Sequence, residues 1–115
     1  MMRIAIAKDG DYVAAHLGRC SAFTLVDIDG NKVTTDEVID NPGHQAGFVP
    51  RILHDRGVRC IMTGSMGTRA VELFRELDIE AITGVNGKVT NTIDKIIREL
   101  EALRINIVTL DTGGG

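Results

Sequence analysis

Short apolar runs alternate with amphipathic stripes through the second half of the chain, and this alternation is the strongest constraint on its fold. Hydrophobic residues recur at helical spacing in three segments, and two strand-like runs, 59–63 and 79–83, lie between them. Such an order predicts parallel strands joined by helical crossovers, because parallel neighbours cannot be connected by a tight turn. The stripes consist of Phe48, Val49, Ile52 and Leu53, of Met66, Ala70, Leu73, Phe74 and Leu77, and of Val89, Ile93, Ile96, Ile97, Leu100 and Leu103.

The first half of the chain has the pattern of strands rather than helices. Residues 3–8 form an apolar run that ends at a cluster of turn residues. Residues 23–29 and 32–40 flank a polar turn centred on Gly30, which predicts an antiparallel hairpin. An antiparallel hairpin therefore precedes the strands that we expect to be parallel.

The complete order, β-β-β-α-β-α-β-α, predicts an α/β protein with a three-layer α/β/α architecture and a five-stranded mixed sheet. We expect one domain over residues 1–110, since a chain of 115 residues is close to the usual size of a single domain. Residues 105–110 are compatible with an added edge strand. Residues 111–115 are rich in glycine and predict a flexible tail.

Composition and charge limit the partners of this domain. The net charge is -3 with scattered lysines and arginines, and aromatic residues make up 3%, which argues against binding nucleic acid. The apolar run near the start is too short for a signal sequence or a membrane span, so we expect a cytoplasmic protein. In a reducing compartment the two cysteines favour thiol chemistry over a disulfide.

The carboxyl ends of parallel strands are where ligands bind in sheets of this kind, and the first predicted loop there carries three reactive groups. His16 and Cys20 supply an imidazole and a thiol, which are metal ligands, and Arg19 could stabilise a thiolate or bind an anion. Gly18 gives the loop its freedom to turn. The alternative is that Gly18 and Arg19 form a plain turn and that Cys20 packs as a small hydrophobic residue.

Two further loops hold candidate ligands. His44 lies in a glycine-containing loop, where it is either a metal ligand or an exposed side chain. A second loop opens a helix, so its backbone N–H groups could cradle an anion; its residues are Gly64, Ser65, Met66 and Gly67. The alternative there is an ordinary helix start capped by Ser65 or Thr68. His54 and Cys60 are interpreted as structural residues.

The chain has no familiar catalytic motif. It has no CxxC, HExxH or GxSxG sequence, and no histidine stands in a context that indicates a base aimed at a nucleophile. A magnesium-dependent phosphohydrolase or nuclease would need several acids facing one another, and the candidates lie in separate turns and strand ends. We interpret these acids as parts of a solvated surface: Asp9, Asp11, Asp27 and Asp29.

Several short segments, taken in order over residues 3–103, form a specific pattern. They are Leu17-Gly18-Arg19-Cys20 with Phe23, Asn41-Pro42-Gly43-His44 with Gly47, Gly57-Val58, Ile61-Met62-Thr63-Gly64-Ser65-Met66-Gly67, and Ile79 with Gly84 and Gly87. In this pattern the chain resembles the dinitrogenase iron-molybdenum cofactor biosynthesis family, whose members are small domains with a ribonuclease-H-like fold. Leu17 replaces the usual aromatic residue, Cys20 replaces a small apolar one, and the loop after His44 lacks a cysteine found in some relatives.

The resemblance implies a non-catalytic carrier that binds an iron-molybdenum cofactor precursor or another metal-sulfur cluster. The implied partners are a cluster donor or recipient protein, and the chain would be a monomer or a weak homodimer. Cys20, His16 and His44 would be the metal ligands, unless ionic and backbone contacts alone hold the cluster. Two alternatives stay open from the residues: an enzyme on the same fold, and a protein interaction module without metal.

Overall fold

The chain folds into a mixed sheet with helices on both faces. The computed structural model describes residues 2–30, 32–41, 43 and 48–113, with side chains described for these residues except 36 and 103–113. The elements in chain order are β1 (Met2–Asp9), β2 (Tyr12–Val13), a 3-10 turn (Leu17–Arg19), β3 (Ala22–Asp29), β4 (Lys32–Asp40), α1 (Phe48–Asp55), β5 (Val58–Met62), α2 (Thr68–Glu76), β6 (Glu80–Ile82) and α3 (Val89–Gly113).

The main path of the sheet has the order β4-β3-β1-β5-β6. Strands β1, β3 and β4 pair antiparallel, whereas β5 pairs parallel with β1 and with β6. This arrangement confirms the mixed sheet, with the hairpin on one side and the crossover strands on the other. The short strand β2 is an addition to the predicted five: the chain reverses at Gly10, whose φ of 62° suits glycine, and Val13 pairs back onto Lys8.

The two faces of β1 serve two separate cores. Ala5 and Ala7 pack into a cluster with Leu53 of α1 and Phe74 of α2. Their neighbours along the strand, Ile4 among them, point into a second cluster to which α3 contributes. The small alanines fit the face that carries two helices, and the sequence prediction of three layers is confirmed.

Helix α3 is longer than the hydrophobic pattern suggested. It runs through residues 105–110 and ends at Gly113, so the prediction of an edge strand there is wrong. The physical reason is that Ile107 and Leu110 continue the helical spacing of the preceding stripe, and no proline or glycine interrupts residues 88–112. Among the described residues, neither α3 nor any other helix has the length and apolarity to cross a bilayer.

Charged side chains hold the amino end of β1. The Arg3 guanidinium donates to both carboxylate oxygens of Asp27 on β3, at 2.8 and 3.1 Å, and to the carbonyl oxygen of Arg56 after α1, at 3.0 Å. The pairing of β1 with β5 also shifts register between Arg3 and Ile4. One side chain therefore ties together a central strand, its antiparallel neighbour and the end of a helix.

Candidate functional site

Backbone hydrogen bonds join the loops that follow β2, β5 and β6. We call residues 14–20, 63–67 and 83–85 the loop junction. The first and second loops are linked from Gly64 N to the Ala14 carbonyl at 2.9 Å and from Leu17 N to the Ser65 carbonyl at 2.8 Å. Gly84 N then donates to the Gly64 carbonyl at 2.8 Å, which adds the third loop. These three loops thus gather at one edge of the sheet.

Gly64 is the closest point of contact in the loop junction. A Cβ atom at this position would lie 2.5 Å from the Ala15 carbonyl oxygen, so only glycine fits. Its N–H is already bonded to Ala14, and its carbonyl to Gly84. Both backbone polar groups of Gly64 are therefore engaged within the loop junction, and this glycine serves loop packing.

Neither Ser65 nor Thr68 is the cap of the helix that follows this loop. The Ser65 hydroxyl donates to the Ala15 carbonyl at 2.9 Å and does not cap the helix. Gly67 is the N-cap of α2, and no side chain accepts from the first N–H groups of that helix. Thr68 is the first residue of α2 rather than its cap. Backbone donors at the start of α2 are therefore left to solvent or to a ligand.

His16 is exposed and caps the 3-10 turn that follows it. Its Nδ1 accepts the N–H of Gly18 at 3.0 Å, so in the neutral ring the proton sits on Nε2. Gly18 has little room for a side chain, since a Cβ there would lie 3.2 Å from the same Nδ1. In this geometry the outward edge of His16 is a hydrogen-bond donor. Arg19, in the same turn, is also exposed.

Cys20 lies beneath the loop rather than on it. It is 5% exposed and belongs to the core cluster below α1 and α2. Burial raises the pKa of its thiol to about 11, against a smaller lowering by the hydrogen bond from the Asn41 amide to Sγ at 3.4 Å. A thiol of this kind is protonated at neutral pH, and it does not share a surface with His16.

Asn41 is a structural residue of this site that the sequence analysis overlooked. Its Nδ2 donates to the Cys20 carbonyl at 2.9 Å, and its Oδ1 accepts from Gly43 N at 3.1 Å. It thereby ties the end of β4 to the first loop. The sequence does carry a local signal for the second contact, since asparagine often bonds to the backbone two residues later in turns.

The other histidines, methionine and cysteine named in the sequence analysis have different settings. His44 lies outside the described residues. Met66 is half-buried against the core below α1 and α2. Cys60 is 1% exposed within β5, and burial raises the pKa of its thiol to about 11. His54 is exposed on α1, 3.5 Å from Asp55.

No group of three or more histidine, cysteine, aspartate or glutamate side chains is placed to hold a metal ion in the part of the chain that the structure describes. What this part of the chain offers a ligand is instead the exposed Arg19 guanidinium, the exposed imidazole of His16 and the uncapped backbone donors at the start of α2. Such a set favours an anion over a bare metal ion.

The fold is that of a small three-layer α/β domain in which three loops are joined at the carboxyl edge of the parallel strands. The chain matches the family described as "Dinitrogenase iron-molybdenum cofactor" over residues 1–101, and it belongs to that family. An uncharacterized protein, MJ0580, from Methanocaldococcus jannaschii is 28% identical over 103 residues, which cover 85% of this chain and 84% of that one.

Solved structures have the same fold. The crystal structure of PH0822 is 36% identical, with a TM-score of 0.79, and the match covers 85% of this chain and 90% of that chain. The apo form of the orange protein from Desulfovibrio gigas is 23% identical, with a TM-score of 0.69 and coverage of 87% and 90%. At that lower identity the likeness concerns the fold alone.

Proposed function

We propose that this protein is a non-catalytic carrier for an iron-molybdenum-type or other metal-sulfur cluster. The family description names the iron-molybdenum cofactor, and the chain matches that family over nearly its whole length. The cluster would be cargo, received from a donor protein and passed to a recipient in the cytoplasm. The carrier itself would be a monomer or a weak homodimer.

One observation carries the proposal: backbone hydrogen bonds join the loop junction, and the His16 imidazole and the Arg19 guanidinium lie exposed on it. Leu17 N is bonded to the Ser65 carbonyl, so the turn that holds His16 and Arg19 lies beside the loop leading into α2. That helix begins at Gly67 with no side-chain cap. Exposed donors of this type suit an anionic cluster with sulfide or oxide atoms on its surface.

The structure does not favour a cluster that is held by a cysteine thiolate. Cys20 is buried, and the raised pKa of its thiol favours the protonated form, whereas a metal ligand must be a thiolate. We therefore propose that His16, Arg19 and the start of α2 hold the cargo through hydrogen bonds and charge. His44 stays a proposed contributor.

Anaerobic reconstitution tests this proposal. Protein purified without oxygen is mixed with ferrous iron, sulfide and molybdate and then passed through a gel-filtration column. We expect visible absorption and metal to elute with the protein. Arg19→Gln should bind less metal, and so should His16→Asn, which keeps a residue able to cap the turn but removes the imidazole. Arg75→Gln, at the far end of α2, is the control and should bind normally.

Two results would decide against parts of this account. A colourless wild-type protein without bound metal would overturn the carrier function. A folded Cys20→Ala variant that loses its colour, while Cys60→Ala keeps it, would show that the cluster needs the Cys20 thiolate. Retention of colour in both cysteine variants is the outcome that the buried thiols predict.

A further inference from the structure

A groove on the α3 side of the sheet is separate from the exposed turn that holds His16 and Arg19. It has a volume of about 650 Å³ and lies between the loop after β6 and the first turns of α3. Cavities of a few hundred Å³ are typical of sites for small molecules. It shares with the loop junction only the loop of residues 83–85, which forms one of its walls.

The groove has an apolar part. Met62 and Ile82, at the carboxyl ends of two adjacent parallel strands, line it together with Ile96 of α3. Ile96 is 9% exposed and belongs to the core on this face. These three side chains offer an aliphatic surface against which the apolar body of a ligand can pack.

The helix side of the groove is cationic and polar. Asn91, Lys95 and Arg98 are spaced by four and three residues, so they form one stripe along α3, and all three are exposed. Within the described residues, no ion pair or hydrogen bond engages the Lys95 or Arg98 side chain. Glu99 also lines the groove, so two cations face one carboxylate.

We infer that this groove is a second binding site, which takes a small molecule with an oxyanion head group and an apolar body. Lys95 and Arg98 would hold a carboxylate or phosphate, since a guanidinium matches the paired oxygens of either group. Asn91 and Asn86, which also line the groove, would supply amide donors. The apolar body would lie on Met62, Ile82 and Ile96.

A second, smaller groove has a different balance of charge. That groove, of about 390 Å³, lies beside the edge strand β6 and is lined by Arg75, Asp78 and Glu80 together with apolar residues. Two carboxylates there face a single guanidinium, so the local charge disfavours an anion. Its arginine provides a matched control.

Two-dimensional amide NMR on the wild-type protein is a direct test, because a chain of 12.4 kDa gives well-resolved spectra. The probes are phenyl phosphate, benzoate, inorganic phosphate and benzyl alcohol. We expect saturable shifts of the amides at residues 83–86 and 91–92 with phenyl phosphate, benzoate or both, and the comparison of these two distinguishes a phosphate from a carboxylate head group. Inorganic phosphate and benzyl alcohol should bind at least tenfold more weakly.

Substitutions then assign the binding to the groove. Lys95→Gln and Arg98→Gln should each weaken binding about tenfold, whereas Arg75→Gln should leave it unchanged. Absence of saturable shifts with both aromatic anions would overturn the inference, and so would equal binding by wild type and the Lys95→Gln, Arg98→Gln double variant. No metal enters this experiment, so its outcome is independent of the proposed carrier function.

Discussion

The two ends of strand β1 are secured in opposite ways. At the amino end, the Arg3 guanidinium donates hydrogen bonds to the Asp27 carboxylate and to the Arg56 carbonyl after α1. Two opposite charges are therefore paired within the fold. At the carboxyl end, the loops are joined by backbone groups, Gly64 N to the Ala14 carbonyl among them. The Arg19 guanidinium and the edge of the His16 ring that does not cap the turn stay exposed there.

This difference has consequences for how each end responds to its surroundings. Backbone hydrogen bonds between neutral groups do not change with pH or salt, whereas an ion pair weakens when its carboxylate is protonated or screened. The stability of the carboxyl end should therefore depend little on pH and salt and strongly on close packing. The amino end should show the reverse.

Gly64→Ala is expected to have the largest effect on stability. It disrupts the packing of the loops at the carboxyl end of β1 without removing a charge. The new Cβ would lie 2.5 Å from the Ala15 carbonyl oxygen, which must move and take the first loop with it. We expect a loss of about 3 kcal/mol in the free energy of unfolding, measured with urea. Gly67→Ala is the control: a Cβ there has nothing within 4 Å, so its loss should stay below about 1 kcal/mol. Equal losses in the two variants would show that close packing at Gly64 is unimportant.

The next largest expected effect concerns the rate at which the Cys20 thiol is labelled. Its pKa, raised from 9.0 to about 11, lowers the thiolate fraction at pH 8 about a hundredfold, and burial adds a barrier to reagents. We expect labelling by an aromatic disulfide reagent to be at least a hundredfold slower than for free cysteine. Cys60, equally buried in β5, should be protected as well.

Comparing the two thiols in Gly64→Ala sharpens this prediction. Opening of the first loop should accelerate labelling of Cys20 and leave Cys60 protected, which mass spectrometry of labelled peptides can distinguish. Rapid labelling of Cys20 in the folded wild type would contradict the burial of its thiol and reopen a role for it as a metal ligand.

Asp27→Asn removes the charge of the carboxylate that pairs with Arg3 at the amino end of β1 and leaves the side chain nearly the same size. We expect a loss of about 1 kcal/mol at pH 7, since the pair is partly exposed and Arg3 keeps its bond to the Arg56 carbonyl. The Arg3 guanidinium lowers the pKa of the Asp27 carboxyl, so the ion pair stabilises the fold above the unfolded pKa of about 3.9. That contribution is lost as the pH falls through the lower, folded value.

The difference between wild type and Asp27→Asn should therefore be constant near neutral pH and shrink below about pH 4. Asp29→Asn, two residues along the same strand and exposed, is the matched control and should change stability little. A stability difference between wild type and Asp27→Asn that does not depend on pH would argue that packing, rather than charge, holds the amino end.

His16→Ala should have the smallest effect on stability. It removes the acceptor for the Gly18 N–H at an exposed turn, which costs about 0.5 kcal/mol. His16→Asn should restore most of that loss, because asparagine is a good cap. Thermal unfolding of the three proteins measures the difference, and a loss in His16→Asn as large as in His16→Ala would show that the cap is irrelevant.

Most of the fold could be predicted because its signals are local. The spacing of Val89, Ile93 and Ile96 indicated a helix before any neighbour was known, and the polar turn at Gly30 indicated a hairpin. The error over residues 105–110 arose where β-branched residues and helical spacing gave opposite indications. In the absence of a helix-ending residue, the helical spacing prevailed.

The site was less predictable because its contacts are distant in sequence. Whether Cys20 is reactive or buried depends on Asn41 and on the core below α1. Neither can be recognised from the sequence of the first loop itself. The partner of the Gly64 N–H is Ala14, about fifty residues earlier. The sequence does not indicate which N–H groups donate hydrogen bonds from one loop to another and which stay exposed.

The position of β1 has a consequence for the order in which the protein can form. It precedes the other strands of this sheet in the sequence and also lies in the centre of the sheet, between β3 and β5. Its pairing with β3 can be completed early, since the two strands are close in sequence, but Ile4 must wait for Cys60 before its other side is covered. A nascent chain released or stalled before β5 emerges would therefore carry an open, apolar strand edge, the kind of surface on which chains aggregate and to which chaperones bind.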